Sequence, residues 1–204
     1  MDKKDSLIQG SIFKALFRLA LPVVGTSFVQ MAYNMTDMIW VGRVGTRAVA
    51  AVGTAGFYTW MSMAFILIPR IGAEVGVAQS VGRQDIDEAK MYIKHSIQMV
   101  VLLALFYSSI LIIFRRSLIG FFNINEADIV NDAIIYLVIV ASGMVFPFIN
   151  SVLSAIFNGY GESRTPFLVN STGLVTNMML DPLLILGIGP FPRMEVVGAA
   201  LAPL

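Results

Sequence analysis

The sequence has no cysteine, one histidine and, over 204 residues, only 14 basic and 13 acidic side chains. Without cysteine there is no disulfide framework, no thiol nucleophile and no cysteine-held zinc or iron–sulfur centre. A single histidine excludes the usual multi-histidine metal sites. Charged residues make up 13% of the chain, against a usual share of roughly 25%, too few to cover a soluble domain of this length. The net charge of +1 excludes a strongly basic nucleic-acid binder. What is abundant is apolar: 57% of the residues are hydrophobic. The composition predicts an integral membrane protein with no nucleic-acid partner.

The charges that do occur are clustered, and the gaps between them predict the architecture. Arg18 and Arg43 bracket 24 residues with one charge, Asp37. Arg47 and Arg70 bracket 22 residues with none, His95 and Arg115 bracket 19 with none, and Asp132 and Glu162 bracket 29 with none. Arg164 and Arg193 bracket 28 residues with one charge, Asp181. A bilayer core needs about 20 apolar residues per helix. Its backbone must be helical, because lipid offers no hydrogen-bond partner. The expected fold class is therefore all-α, a polytopic transmembrane bundle. Five full helices are expected near 16–40, 48–71, 95–114, 133–157 and 167–188, with the start of a sixth at 196–204. The nine residues from Val196 to Leu204 rise only about 13 Å, less than half of a bilayer core, so the chain is expected to be a fragment, a truncated frame or a split subunit.

Basic residues set the orientation. An inner N-terminus places Lys3, Lys4, Lys14, Arg18, Arg70, Arg83, Lys90, Lys94 and Arg164 inside, and Arg43, Arg47, Arg115, Arg116 and Arg193 outside. The start, Met1-Asp2-Lys3-Lys4, leads into an apolar helix with no small-residue cleavage site, which predicts an uncleaved anchor. Two longer loops are expected. One runs inside from Gly72 to Lys94, with an amphipathic helix at Ala89–His95. The other runs outside from Arg115 to Asp132, where Asn123, Asn125, Glu126 and Asp128 supply turn and cap chemistry.

Asp37 and Asp181 are the acids placed well inside expected spans. Such a charge costs about 2.5–3.5 kcal/mol on insertion scales, and it normally faces the bundle interior or a water-filled cavity. Both helices run outward and both acids fall in the outer half, where they can share one cavity. Tyr33 lies four residues before Asp37, and Asn177 four before Asp181, so each pair shares a helix face. Pro182 has no N–H and deprives the Met178 carbonyl of its helical partner. Oxygen donors of this kind suit a hard cation, and a buried carboxylate can carry a proton. The expectation is a proton or Na⁺ site at Asp37, Asn177 and Asp181, with Tyr33 beside it and no cofactor. The structural alternatives are snorkelling to outer water for Asp37 and a purely packing role for Asp181.

Weaker signals accompany the acids. Pro22 and Pro147 are candidate helix-bending positions. Asn150 and Asn158 are candidate cavity-lining groups or interhelical glue. Gly72 and Gly76 form a GxxxG spacing that reads as packing or a turn, and His95 reads as a solvated boundary residue.

Several stretches resemble one known family. Leu21-Pro22, then Tyr33-Asn34-Met35-Thr36-Asp37-Met38-Ile39-Trp40-Val41-Gly42-Arg43-Val44-Gly45 and Ala48-Val49-Ala50-Ala51-Val52-Gly53, resemble the first helix and following loop of multidrug and toxin extrusion (MATE) transporters. Gly72 to Gly82 resembles that family's loop after the second helix. Asn158-Gly159-Tyr160-Gly161-Glu162-Ser163-Arg164-Thr165-Pro166 resembles its loop between the fourth and fifth helices. Asn177-Met178-Met179-Leu180-Asp181-Pro182 is similar to its fifth helix, and Gly198-Ala199-Ala200-Leu201-Ala202 to the start of its sixth.

The resemblance implies the N-terminal lobe of a twelve-helix transporter, in the branch of the DNA-damage-inducible F proteins. It implies export of cationic or amphipathic drugs and toxins in exchange for H⁺ or Na⁺, from the bacterial inner membrane, with lipid around the chain and a C-terminal lobe missing. It maps the lobe's cation site onto Asp37, Asn177 and Asp181, with Tyr33 and the helix-bending Pro22 nearby. One departure stands out: Pro203 takes the place where the family often has a threonine that contributes to the site. Two rival readings follow from the residues, a lipid-linked sugar flippase of a related superfamily and an intramembrane aspartyl protease. Flippase cavities usually carry basic residues, and here both central charges are acidic. The protease would be an enzyme, which the transporter reading excludes.

Overall fold

The computed structural model describes residues 12–188 and 192–203, with side chains described from residue 16 onward except 18 and 19. The opening Met1-Asp2-Lys3-Lys4, expected as an uncleaved anchor, lies outside the described residues, as does the terminal Leu204. Eight helices and no strand occur among the described residues: α1 Ile12–Val44, α2 Thr46–Gly82, α3 Ile86–Ile113, α4 Arg115–Gly120, α5 Ala127–Gly143, α6 Val145–Gly159, α7 Arg164–Leu186 and α8 Glu195–Leu201.

Helix α2 is the axis of the bundle and packs on α3, α5 and α6, while α1 packs mainly on α7 and α8 wedges between α5 and α7. The buried face of α2 recurs at helical spacing through Ala48, Ala51, Val52, Ala55, Tyr58, Ser62, Pro69, Ala73, Gly76, Val77 and Ser80. Most of these side chains are small, which lets neighbouring backbones approach closely. Larger residues fill the gaps they leave: Phe148, Leu111, Leu137 and Met144 are almost wholly buried. The opposite faces carry Phe28, Leu102, Ile113, Phe121 and Met179, all largely exposed. An apolar exterior of this extent needs lipid or another protein surface to cover it.

Several expectations are corrected. The inner loop expected at Gly72–Lys94 does not exist: α2 continues to Gly82, and α3 starts at Ile86 after the three residues Arg83–Asp85. Gly76 serves close packing, since a Cβ there would fall 2.3 Å from the ring of Tyr92 on α3. Asp85 caps α3 by accepting a 2.9 Å hydrogen bond from the Glu88 N–H, and Asp87 and Glu88 follow in the first turn, where acids favour the helix dipole. The amphipathic helix expected at Ala89–His95 is simply part of α3. The outer loop expected at Arg115–Asp132 holds α4 and the first turn of α5.

The span expected at 133–157 is broken at Met144, where α5 and α6 meet at 45°. Pro147 falls in the first turn of α6, where its missing N–H costs least. By length and composition, α2 and α3 can each cross a membrane, and the bent pair α5–α6 passes the same test when taken together as one broken span. The helices α1 and α7, also expected as spans, have 33 and 23 residues, enough to cross a bilayer core. Their polar residues build the site below.

A chain of tyrosine hydrogen bonds ties α2, α3 and α4 together. Tyr107 on α3 donates to the Tyr58 carbonyl on α2 at 2.7 Å, and Tyr58 donates to the Leu118 carbonyl on α4 at 2.7 Å. Ser108 on α3 donates to the Ala141 carbonyl on α5 at 2.6 Å. Tyr107→Phe keeps the ring and deletes one such bond. The expected result is a loss of about 0.6–1 kcal/mol, read as a small drop in melting temperature in detergent or nanodiscs.

Candidate ion site and cavity

Asp37 projects from the C-terminal half of α1. Asn177 and Asp181 come from α7, one turn apart on the face turned into the bundle, and both are buried. Pro182 sits inside α7 without ending the helix. The Asn177 side-chain amide donates to the Ala202 carbonyl at the end of α8. That bond fixes the amide orientation and leaves its oxygen pointing elsewhere. Pro203, in the place of the expected threonine, is exposed.

The hydrogen-bond inventory defines the chemistry of the site. The buried oxygens Oδ1 of Asp37, Oδ1 of Asn177 and both Oδ1 and Oδ2 of Asp181 have no donor. A buried oxygen left without a donor costs about 1–3 kcal/mol. Four of them on two facing helices favour uptake of a proton or a hard cation. The charge of Asp37 reaches Asp181, and both reach Tyr33 on α1 and Tyr136 on α5. Tyr136 is buried and was not legible in the sequence, where it stands as a lone tyrosine in an apolar run. Near the C-terminal end of α1, Arg43 lies 4.6 Å over the Trp40 ring, a cation–π contact one turn beyond Asp37. Among the described residues no three His, Asp or Glu side chains gather into a metal cluster.

A cavity of about 650 Å³ opens between α1, α2, α6 and α7. Its α1 wall carries Thr26, Gln30 and Asn34, three polar residues at four-residue spacing that mark one face of the helix. Met31, Met35 and Met38 add soft apolar surface. Asn158 lines the cavity as expected from the sequence. Asn150 does not, but its amide donates at 2.8 Å to Asn170, which does line it and in turn donates to Ser154 at 3.2 Å. Gln30, Asn34, Asn170 and Arg70 were not singled out from the sequence. For Gln30 and Asn34 the signal was present in the four-residue spacing that runs toward Asp37.

The family model described as MatE matches residues 22–183. The chain belongs to the MatE family. A probable multidrug resistance protein NorM of Thermotoga maritima is 32% identical over 194 residues, covering 94% of this chain and 41% of that protein. An FAD transporter of Shewanella oneidensis is 27% identical over 210 residues, covering 100% of this chain and 45% of that protein. A crystal structure of a MATE protein in complex with MaD3S superposes with a TM-score of 0.90 at 28% identity, over 100% of this chain and 45% of that one. The chain thus spans a little under half the length of the relatives it matches and corresponds to their N-terminal lobe. MatE proteins are integral membrane transporters and not enzymes, which removes the aspartyl-protease reading.

Proposed function

We propose that this MatE chain is one half of a secondary antiporter that exports amphipathic drug- or toxin-like molecules in exchange for H⁺ or Na⁺. The observation that carries the reading is the set of donor-less buried oxygens on Asp37, Asn177 and Asp181, on the same two helices that wall the cavity. Ion entry from outside neutralises the two acids and removes their mutual repulsion. The helices α1 and α7, freed to approach, then change the cavity wall they share. Pro22 sits inside α1 with the Thr26 hydroxyl donating to its carbonyl at 3.0 Å, and in this reading it is the point at which α1 bends during transport. Cargo and ion thereby compete for one lobe, and rocking against a second lobe supplies alternating access. In this reading the chain lies in the bacterial plasma membrane with its N-terminus inside. The names of its relatives, multidrug resistance proteins and an FAD transporter, support a small-molecule cargo.

The test is gradient-driven export. The full transporter containing this chain is reconstituted in proteoliposomes, and an inward H⁺ or Na⁺ gradient is imposed. Export of a fluorescent amphipathic dye should accelerate with at least one gradient and fall to the leak rate when an ionophore collapses it. Export that ignores both gradients overturns ion coupling.

A further inference from the structure

The extension of α2 to Gly82 changes the position of Arg70. The sequence places it at an inner helix end. In the structure it lies inside a continuous helix, twelve residues before Gly82, or about 18 Å of rise. The 37 residues of α2 rise about 55 Å, well beyond a bilayer core of about 30 Å, so Arg70 closes the uncharged stretch and stands where the helix leaves the core. Arg70 is half-buried and makes no ion pair among the described residues; even Glu74, one turn further along α2, does not bond to it. Arg70 instead lines the cavity.

The rest of the lining fits an anion. No aspartate or glutamate lines the cavity among the described residues, so Arg70 is its one charged group there. Asn158 and Ser163, also on the lining, offer uncharged donors, and Ser163 is itself buried. Met31 and Met35 on α1 supply an apolar wall. Asp37 and Asp181 stay outside this lining.

We propose that Arg70 anchors a phosphate or carboxylate of the transported molecule, so that the cargo of this lobe is an amphipathic anion and not a cation. The assignment rests on the export reading above and names its substrate class. A guanidinium holds such groups through paired charge-assisted hydrogen bonds, which lysine or glutamine cannot reproduce in full.

The test compares two probes that differ only by a phosphate. Riboflavin and flavin mononucleotide are titrated against the full transporter containing this chain, in phosphatidylcholine nanodiscs, and followed by flavin fluorescence, with the cationic dye ethidium as a third probe. Flavin mononucleotide should bind at least about tenfold more tightly than riboflavin, the effect of one charged hydrogen-bond contact. The preference should shrink as NaCl is raised. Arg70→Gln should erase it without changing riboflavin affinity, and Arg70→Lys should restore part of it. Equal affinity for the two flavins, or a preference that survives Arg70→Gln, overturns the proposal. Binding of ethidium but of neither flavin overturns the anionic cargo and leaves the export reading standing, whereas binding of none of the three overturns both. A preference abolished by replacing the lipid with phosphatidylglycerol assigns Arg70 to a lipid head group and overturns its role toward cargo.

Discussion

Asp181→Asn in the full transporter takes ion-driven export down to the leak rate and raises the melting temperature of the protein. The two effects have opposite signs because they share one cause. Asp181 is wholly buried, and both of its carboxylate oxygens lack a donor, which is a cost to the folded state. Asparagine keeps the shape of the side chain and removes the charge. Its new N–H₂ group can donate where the carboxylate could only accept. Satisfying a donor-less oxygen and removing the like-charge repulsion from Asp37 stabilises the fold by about 1–3 kcal/mol, measured at alkaline pH without Na⁺, where both acids are charged. Export fails because an amide neither takes up nor releases a proton and offers a cation no negative charge. Asp37→Asn loses export in the same way, with a smaller gain in stability because Asp37 is only half-buried. Retained gradient dependence in both variants overturns the ion site, whatever the melting curves show. The trade between stability and activity is the usual one for a site held in a strained electrostatic state.

The existence of the helices was legible from the spacing of charges, and Asp37 and Asp181 from the rarity of acids in apolar runs. What was not legible depends on contacts between helices. Glycine at 72, 76 and 82 carries the local signal of a turn, yet the packing of Gly76 against Tyr92 keeps α2 helical through all three positions. Tertiary contact overrode local propensity, and Arg70 was displaced from a helix end to a helix interior as a result. The 45° break at Met144 had a partial signal in Pro147, which lies just after the bend. Tyr136 had none: nothing in Ile134-Ile135-Tyr136-Leu137 marks it as buried within reach of the charges of Asp37 and Asp181. The polar character of α1 and α7 was readable; that the two helices cover it by packing on each other was not.

The same reasoning makes Gly198→Ala the second large effect. Gly198 is where α8 meets α7, and a Cβ there would fall 2.6 Å from both the carbonyl carbon and oxygen of Leu184 and 2.9 Å from the Ile185 nitrogen. All three are backbone atoms, so no rotamer change relieves the clash, and the two helices must separate. Ala202 lies one turn beyond Gly198, and its carbonyl takes the hydrogen bond that orients Asn177. One methyl group therefore costs packing and also releases a ligand of the proposed ion site. The expected destabilisation is about 1–3 kcal/mol, the range for overpacking a close contact, together with weakened ion coupling. Gly173→Ala is the matched comparison, because it lies on α7 with nothing within 4 Å of its added Cβ. There the same chemical change should be neutral or stabilising by about 0.5–1 kcal/mol, since alanine loses less freedom in a helix than glycine. Melting curves of the two variants, read beside gradient-driven export, separate the outcomes. A Gly198→Ala protein as stable and as well coupled as the parent shows that α8 does not press on α7 in this way, and that Asn177 is held by something other than the Ala202 carbonyl.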